Sequence, residues 1–237
     1  MLFSTIFTIL GAAFLGLYIS KKIEGASVTA MLIKTWISFC FMAVGICGIY
    51  VAQDKFGIFV LFGLLWGLLG DIWLDLKYVY LQHTHIYTFA GFACFAVGHI
   101  FYNVGLFKCY FSSADNLLYF VVPAVLAIAA GFSVVLFGKI MKLNYGRYKI
   151  ISMVYGALLF MTMFFSCSLA IMNHFGNLTL NMFAAGSILF AASDLVLSGT
   201  YFGEGHDKAI DIILNYVTYY PAQFLIAFSI LFSGGSV

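Results

Sequence analysis

Eight times along this chain of 237 residues, a run of mostly apolar residues ends in a short polar or glycine-containing break. Each run approaches the roughly 20 residues that carry a helix across the hydrocarbon of a bilayer, where the backbone must satisfy its own hydrogen bonds. The runs cover 2–19, 34–52, 57–76, 85–107, 116–138, 149–172, 180–201 and 210–232. They predict an all-α fold, a polytopic integral membrane helix bundle of about eight transmembrane helices. Only 8% of the residues are charged, against roughly a quarter in an ordinary globular chain, which leaves no soluble surface. The breaks are short, 14 residues between the first two runs and ten or fewer elsewhere, and hold no linker or low-complexity tract, so residues 1–237 read as a single transmembrane helical domain. Function then has to lie within the bundle. The first run is long for the core of a signal peptide and has neither a basic start nor a small-residue cleavage site ahead of Lys21 and Lys22, so it is expected to stay as a helix.

The basic residues are distributed unevenly. Loops one, three, five and seven carry Lys21, Lys22, Lys34, Lys77, Lys139, Lys142, Arg147, Lys149 and Lys208, while the opposite side has only Lys55 and Lys108. The excess of lysine and arginine predicts that the odd loops face the cytoplasm and that both termini lie on the non-cytoplasmic side. The membrane is then a bacterial inner or plasma membrane, or the endoplasmic reticulum membrane in a eukaryote, where the Asn177-Leu178-Thr179 sequon would face outward. Cys40, Cys47, Cys94, Cys109 and Cys167 lie in or beside apolar runs without metal-ligand spacing or a disulfide framework, and read as small core residues.

Against this apolar background the buried polar groups carry the information. Asp71 and Asp194 fall inside the third and seventh runs, where a carboxylate costs a few kcal/mol and has to face the bundle interior. Their surroundings echo one another, Gly67-Leu68-Leu69-Gly70-Asp71-Ile72-Trp73-Leu74 against Phe190-Ala191-Ala192-Ser193-Asp194-Leu195-Val196-Leu197. An offset of four helices corresponds to parallel repeats about an axis along the membrane normal. The plainer reading is that both aspartates hydrogen-bond helix to helix. Asp75, one turn after Asp71, reads as a charge solvated near the interface beside Lys77. His99, Tyr102 and Asn103 line one helical face at i, i+3 and i+4 and suggest a wet cavity. Tyr219, Tyr220 and Gln223 do the same in the last run, where Pro221 frees a backbone carbonyl. Lys34 opens the second run, either snorkelling to the headgroups or binding a lipid phosphate. Ser193 has no histidine beside it, so nucleophilic serine catalysis finds little support. His83, His85, His206, Asp207 and Asp211 lie on separate loops, and no metal site and no cofactor is expected from them.

Several of these segments resemble the lysoplasmalogenase family, the YhhN-like group of eight-span membrane proteins. The similarity rests on Gly70-Asp71, Gly98-His99-Ile100-Phe101-Tyr102, Ser193-Asp194-Leu195 and Thr218-Tyr219-Tyr220-Pro221-Ala222-Gln223, in the family's order across most of the chain. Lys34 also stands where the family has a lysine, although Thr35 replaces the usual following proline. The resemblance implies hydrolysis of the vinyl ether bond of lysoplasmalogens to a fatty aldehyde and glycerophosphoethanolamine or glycerophosphocholine. Such a reaction begins with protonation of the β-carbon and suits a pair of carboxyl groups, as in glycosidases. Asp71 and Asp194 are then the expected catalytic pair, and Lys34, His99, Tyr102, Asn103, Ser193, Tyr219, Tyr220 and Gln223 the expected substrate-binding set. The expected partners are the lysophospholipid substrate and membrane lipids, with no nucleic acid and with a homodimer left open. The rival readings are a proton-coupled membrane transporter using the same carboxylates and a lipid-binding assembly subunit.

Overall fold

A computed structural model describes residues 1–25, 27–111, 117–136, 138, 140, 142–203 and 208–235. It contains eight long helices: α1 (Leu2–Glu24), α2 (Val28–Ala52), α3 (Lys55–Val79), α4 (Thr84–Cys109), α5 (Leu118–Leu136), α6 (Lys149–Met172), α7 (Leu178–Phe202) and α8 (Ala209–Ser229). All eight are long and apolar enough to cross a membrane, as the recurring runs predict, and no strand occurs among the described residues. The largest differences in bounds flank the first connection, where α1 runs on to Glu24 instead of ending at residue 19 and α2 begins at Val28 rather than at Lys34. Ser27 caps it, its hydroxyl accepting from the backbone N–H of Ala30 at 3.1 Å. That extra turn and a half moves Lys34 from the helix end into the helix body. Polar caps also start α3, where Asp54 accepts from the N–H groups of Lys55 and Phe56, and α7, where Asn177 accepts from that of Leu180.

Consecutive helices pack as hairpins, α1 on α2, α3 on α4, α5 on α6 and α7 on α8, and the hairpins join through α2–α3, α6–α7, α4–α6 and α2–α8. This set of neighbours maps onto itself when each helix is shifted by four. The α1–α8 and α3–α8 contacts are the exceptions, without counterparts of like extent between α5 and α4 or between α7 and α4. Lipid tails are as apolar as leucine, so helices in a bilayer associate through close backbone approach rather than through a hydrophobic drive. The α3–α4 seam is made this way. Gly91, Gly98 and Gly105 recur every seventh residue on α4, and a Cβ at Gly98 would sit 3.0 Å from the carbonyl oxygen of Gly63 on α3. The five cysteines are free.

Because that neighbour is backbone and cannot swing aside, Gly98→Ala is expected to lower stability by about 1–3 kcal/mol. Gly16→Ala on α1, where nothing lies within 4 Å of the added carbon, is expected to leave stability unchanged. Thermal unfolding of the two variants in detergent checks the pair.

Candidate active site

The site begins with two helical repeats of one turn facing each other. Lys34 and Ser38 are i, i+4 on α2, Asp71 and Asp75 are i, i+4 on α3, and the short connection makes the two helices antiparallel neighbours. The Lys34 Nζ lies 3.1 Å from Asp71 Oδ1 and 3.4 Å from Asp75 Oδ1. Ser38 Oγ donates to Asp71 Oδ2 at 2.8 Å, and the Tyr219 hydroxyl of α8 donates to the same oxygen at 2.8 Å. Gln223, one turn further along α8, donates from Nε2 to the Tyr219 oxygen at 2.9 Å. All of these side chains are buried.

Two of the expectations fail here. Lys34 does not snorkel to the surface: with an exposure of 4% it is the shared counterion of two carboxylates. Asp75 is not solvated beside Lys77 but is 5% exposed, bound to Lys34 and approached by Lys22 of α1 at 3.9 Å. The cause is the early start of α2, which carries Lys34 down to the level of the aspartates. Lys77 itself lies 3.1 Å over the Tyr201 ring.

Asp194 is built differently. The Tyr155 hydroxyl of α6 donates to its Oδ2, and among the described residues no ion pair reaches it. Beside it, Asn215 Nδ2 donates to the Ser193 carbonyl at 3.0 Å and to Ser193 Oγ at 3.1 Å, tying α7 to α8. Asp71 and Asp194 wall one cavity together with Lys34, Ser193, Asn215 and Tyr219. The space open to the centre of a water molecule is about 20 Å³, enough for about one water. On its other side Asp194 borders a mainly apolar groove of about 50 Å³ on the same measure, walled by Phe92, Tyr155, Leu159, Phe160 and Phe202 among others. The carboxyl therefore stands where a polar cell meets an apolar slot.

Of the remaining expected site residues, His99, Tyr102 and Asn103 lie outside this cavity. His99, Tyr102 and Gln223 meet around Gly63, Gly67 and Gly98 in a closed layer with no room for water. The glycine seam that draws α4 onto α3 removes the space that a wet cavity would need, which overturns that expectation. His99 Nδ1 lies 2.9 Å from Thr162 Oγ1, and Asn103 Nδ2 donates to the carbonyls of His99 and Leu158. Phe190 stands between His99 and Tyr219, its ring centroid 5.0 Å from the one and 5.4 Å from the other. Tyr220 backs the site, packed on Tyr216 and Tyr219. Of the loop residues considered for a metal, His206 and Asp207 lie outside the described residues, and among the described residues no group of three ligands gathers.

Sequence reasoning missed Ser38, Tyr155 and Asn215. Asn215, Tyr219 and Gln223 form an i, i+4, i+8 stripe, and extending the α8 pattern by one turn would have found the first of them. Ser38 follows from Lys34 in the same way. Tyr155 carries no comparable signal, because tyrosine is common in this chain.

Removing Lys34 alone leaves two buried carboxylates short of a counterion, so Lys34→Met is expected to cost about 3–5 kcal/mol. Adding Asp71→Asn and Asp75→Asn in that background should recover most of the loss. Equal melting temperatures for Lys34→Met and the parent protein would contradict the counterion role.

Among curated proteins and among solved structures, nothing matches this chain. The YhhN family model does match, over residues 29–230, a stretch that runs from the first turn of α2 to just past α8 and holds every residue of the cavity. The chain belongs to the YhhN family, which includes lysoplasmalogenases.

Proposed function

We propose that the protein hydrolyses the vinyl ether bond of lysoplasmalogens, releasing a fatty aldehyde and the glycerophospho-headgroup. The observation that carries this reading is the position of Asp194, one carboxyl bordering both a water-sized polar cell and an apolar slot. A substrate of this class needs that combination, since its reacting bond joins a hydrocarbon chain to a polar glycerol.

The two aspartates divide the work by their partners. Asp71 has an ammonium at 3.1 Å and two hydroxyl donors on one oxygen, the surroundings of a carboxylate. Asp194, with a tyrosine hydroxyl and no cation among the described residues, is assigned the transferable proton. It protonates the carbon one bond beyond the ether-bearing carbon and leaves an oxocarbenium ion, which the negative charge of Asp71 stabilises across the cell. Water from the cell adds to the ether-bearing carbon and returns a proton to Asp194. The resulting hemiacetal collapses as its hydroxyl proton passes to the departing glycerol oxygen. Water is consumed and no other reactant is required.

The cell lies toward the ends of α3 and α7 that lead into the odd loops, so the headgroup faces the side with the excess of lysine. By the positive-inside rule that side is cytoplasmic, and both termini lie opposite. The closed layer around His99 favours hydrolysis over carriage, because a carrier needs a route onward from the carboxylates.

General acid and base groups contribute about 10²–10⁴-fold to a rate. Asp194→Asn and Asp71→Asn are therefore expected to lose at least about 100-fold in aldehyde release from a vinyl-ether lysophospholipid. Tyr155→Phe, which loses one hydrogen bond to the acid, is expected to lose roughly 10-fold. Near-normal rates for folded Asp194→Asn would refute the acid assignment. Asp71-dependent proton-coupled flux into proteoliposomes, with no aldehyde from the parent protein, would replace hydrolysis by transport.

A further inference from the structure

Among the residues that line the apolar groove, one side-chain hydroxyl has no hydrogen-bond partner. It belongs to Ser152 of α6, which is 7% exposed. The Tyr102 hydroxyl is also without a partner but is closed in, whereas that of Ser152 adjoins open space, where a water or a ligand group can complete the bond.

The position of Ser152 along α6 gives the missing partner a chemistry. Ser152, Tyr155 and Leu159 follow one another at three and four residues on one helical face, and all three line the groove. Tyr155 holds Asp194, so the reacting bond belongs at its level. Leu159 and Phe160 lie about 6 Å deeper along the helix, among apolar groups suited to a hydrocarbon chain. Ser152 lies about 4.5 Å the other way, toward Lys149 and the loop end of the helix. Next to a vinyl ether on that side comes the glycerol, whose neighbouring carbon in a single-chain lipid bears a free hydroxyl.

We propose that Ser152 is the specificity-determining residue for that free glycerol hydroxyl, and that the groove takes the lipid with its chain toward Leu159 and its glycerol toward Ser152. The inference rests on the hydrolase reading for its substrate class. A lipid esterified at this carbon has no hydroxyl to offer Ser152. It would also bring a second chain against a wall closed nearby by the hydrogen bond between Tyr145 and Ser198, whose hydroxyl oxygens are 2.9 Å apart.

The test uses saturated 1-alkyl lysophospholipids, which lack the vinyl bond, with and without the glycerol hydroxyl. Each displaces a fluorescent lysolipid from the full-length protein in nanodiscs. The parent protein is expected to bind the hydroxyl-bearing ligand roughly 5- to 10-fold more tightly than its 2-deoxy counterpart. Ser152→Ala should bind the two equally, and Ser152→Thr, which keeps the hydroxyl, should retain the preference. Because Ser152 bonds nothing in the protein, the alanine variant is expected to fold normally. A preference that survives in Ser152→Ala, or none in the parent protein, overturns the proposal. Since these ligands cannot be hydrolysed, the outcome is separate from turnover. Absent aldehyde release with an intact Ser152-dependent preference would remove the hydrolase reading and leave the binding site. Normal aldehyde release with a preference indifferent to Ser152 would do the reverse.

Discussion

A charge placed in hydrocarbon has to bring its own compensation, and in this bundle that requirement is met by Lys34 held between Asp71 and Asp75. The ion group joins α2 to α3, draws α1 in through Lys22, and draws α8 in through Tyr219. It also gathers charges from α1, α2 and α3 at one level of the bundle. With one Asp71 oxygen facing Lys34 and the other taking two hydroxyl donors, that carboxylate cannot turn. The cell wall beside it is therefore a fixed negative surface, preorganised before any substrate arrives.

The glycine seam sets the opposite limit. Where Gly63 of α3 meets Gly98 of α4, the helices close on each other, and His99, Tyr102 and Asn103 are packed so tightly that His99 Nε2, the Tyr102 hydroxyl and Asn103 Oδ1 are left without a hydrogen-bond partner. Toward the odd loops the bundle opens again, into a cell for about one water and an apolar slot with Asp194 between them. The cell and the slot meet at Asp194, and the closed layer around His99 adds no space to either.

The number of helices, their class and the inward placement of Asp71 and Asp194 were legible in the sequence. Long apolar runs and isolated carboxylates are one-dimensional signals. What escaped depends on distance across helices. Lys34 looked like the start of a span because charges usually end spans, and Ser27, the cap that extends α2, is an inconspicuous residue. The His99 stripe looked wet because spacing shows which groups share a face but not how close the next helix comes. That closeness is decided by glycines on α3 and α4. Tyr155 bonds Asp194 from a helix with no other mark, one of 15 tyrosines in the chain. The aspartates sit on α3 and α7, and each accepts a hydroxyl from the helix before it, Ser38 of α2 and Tyr155 of α6. The two surroundings differ, since Asp71 is ion-paired and no ion pair reaches Asp194 among the described residues.

The central claim is that a carboxyl group delivers a proton to carbon, and isotope labelling tests that step most directly. Turnover of a vinyl-ether lysophospholipid in D₂O, with the aldehyde reduced at once to the alcohol and analysed by mass spectrometry, should place a single deuterium on carbon 2 of the chain. Aldehyde formed with no deuterium on that carbon would contradict protonation there, and with it the roles given to Asp194 and Asp71.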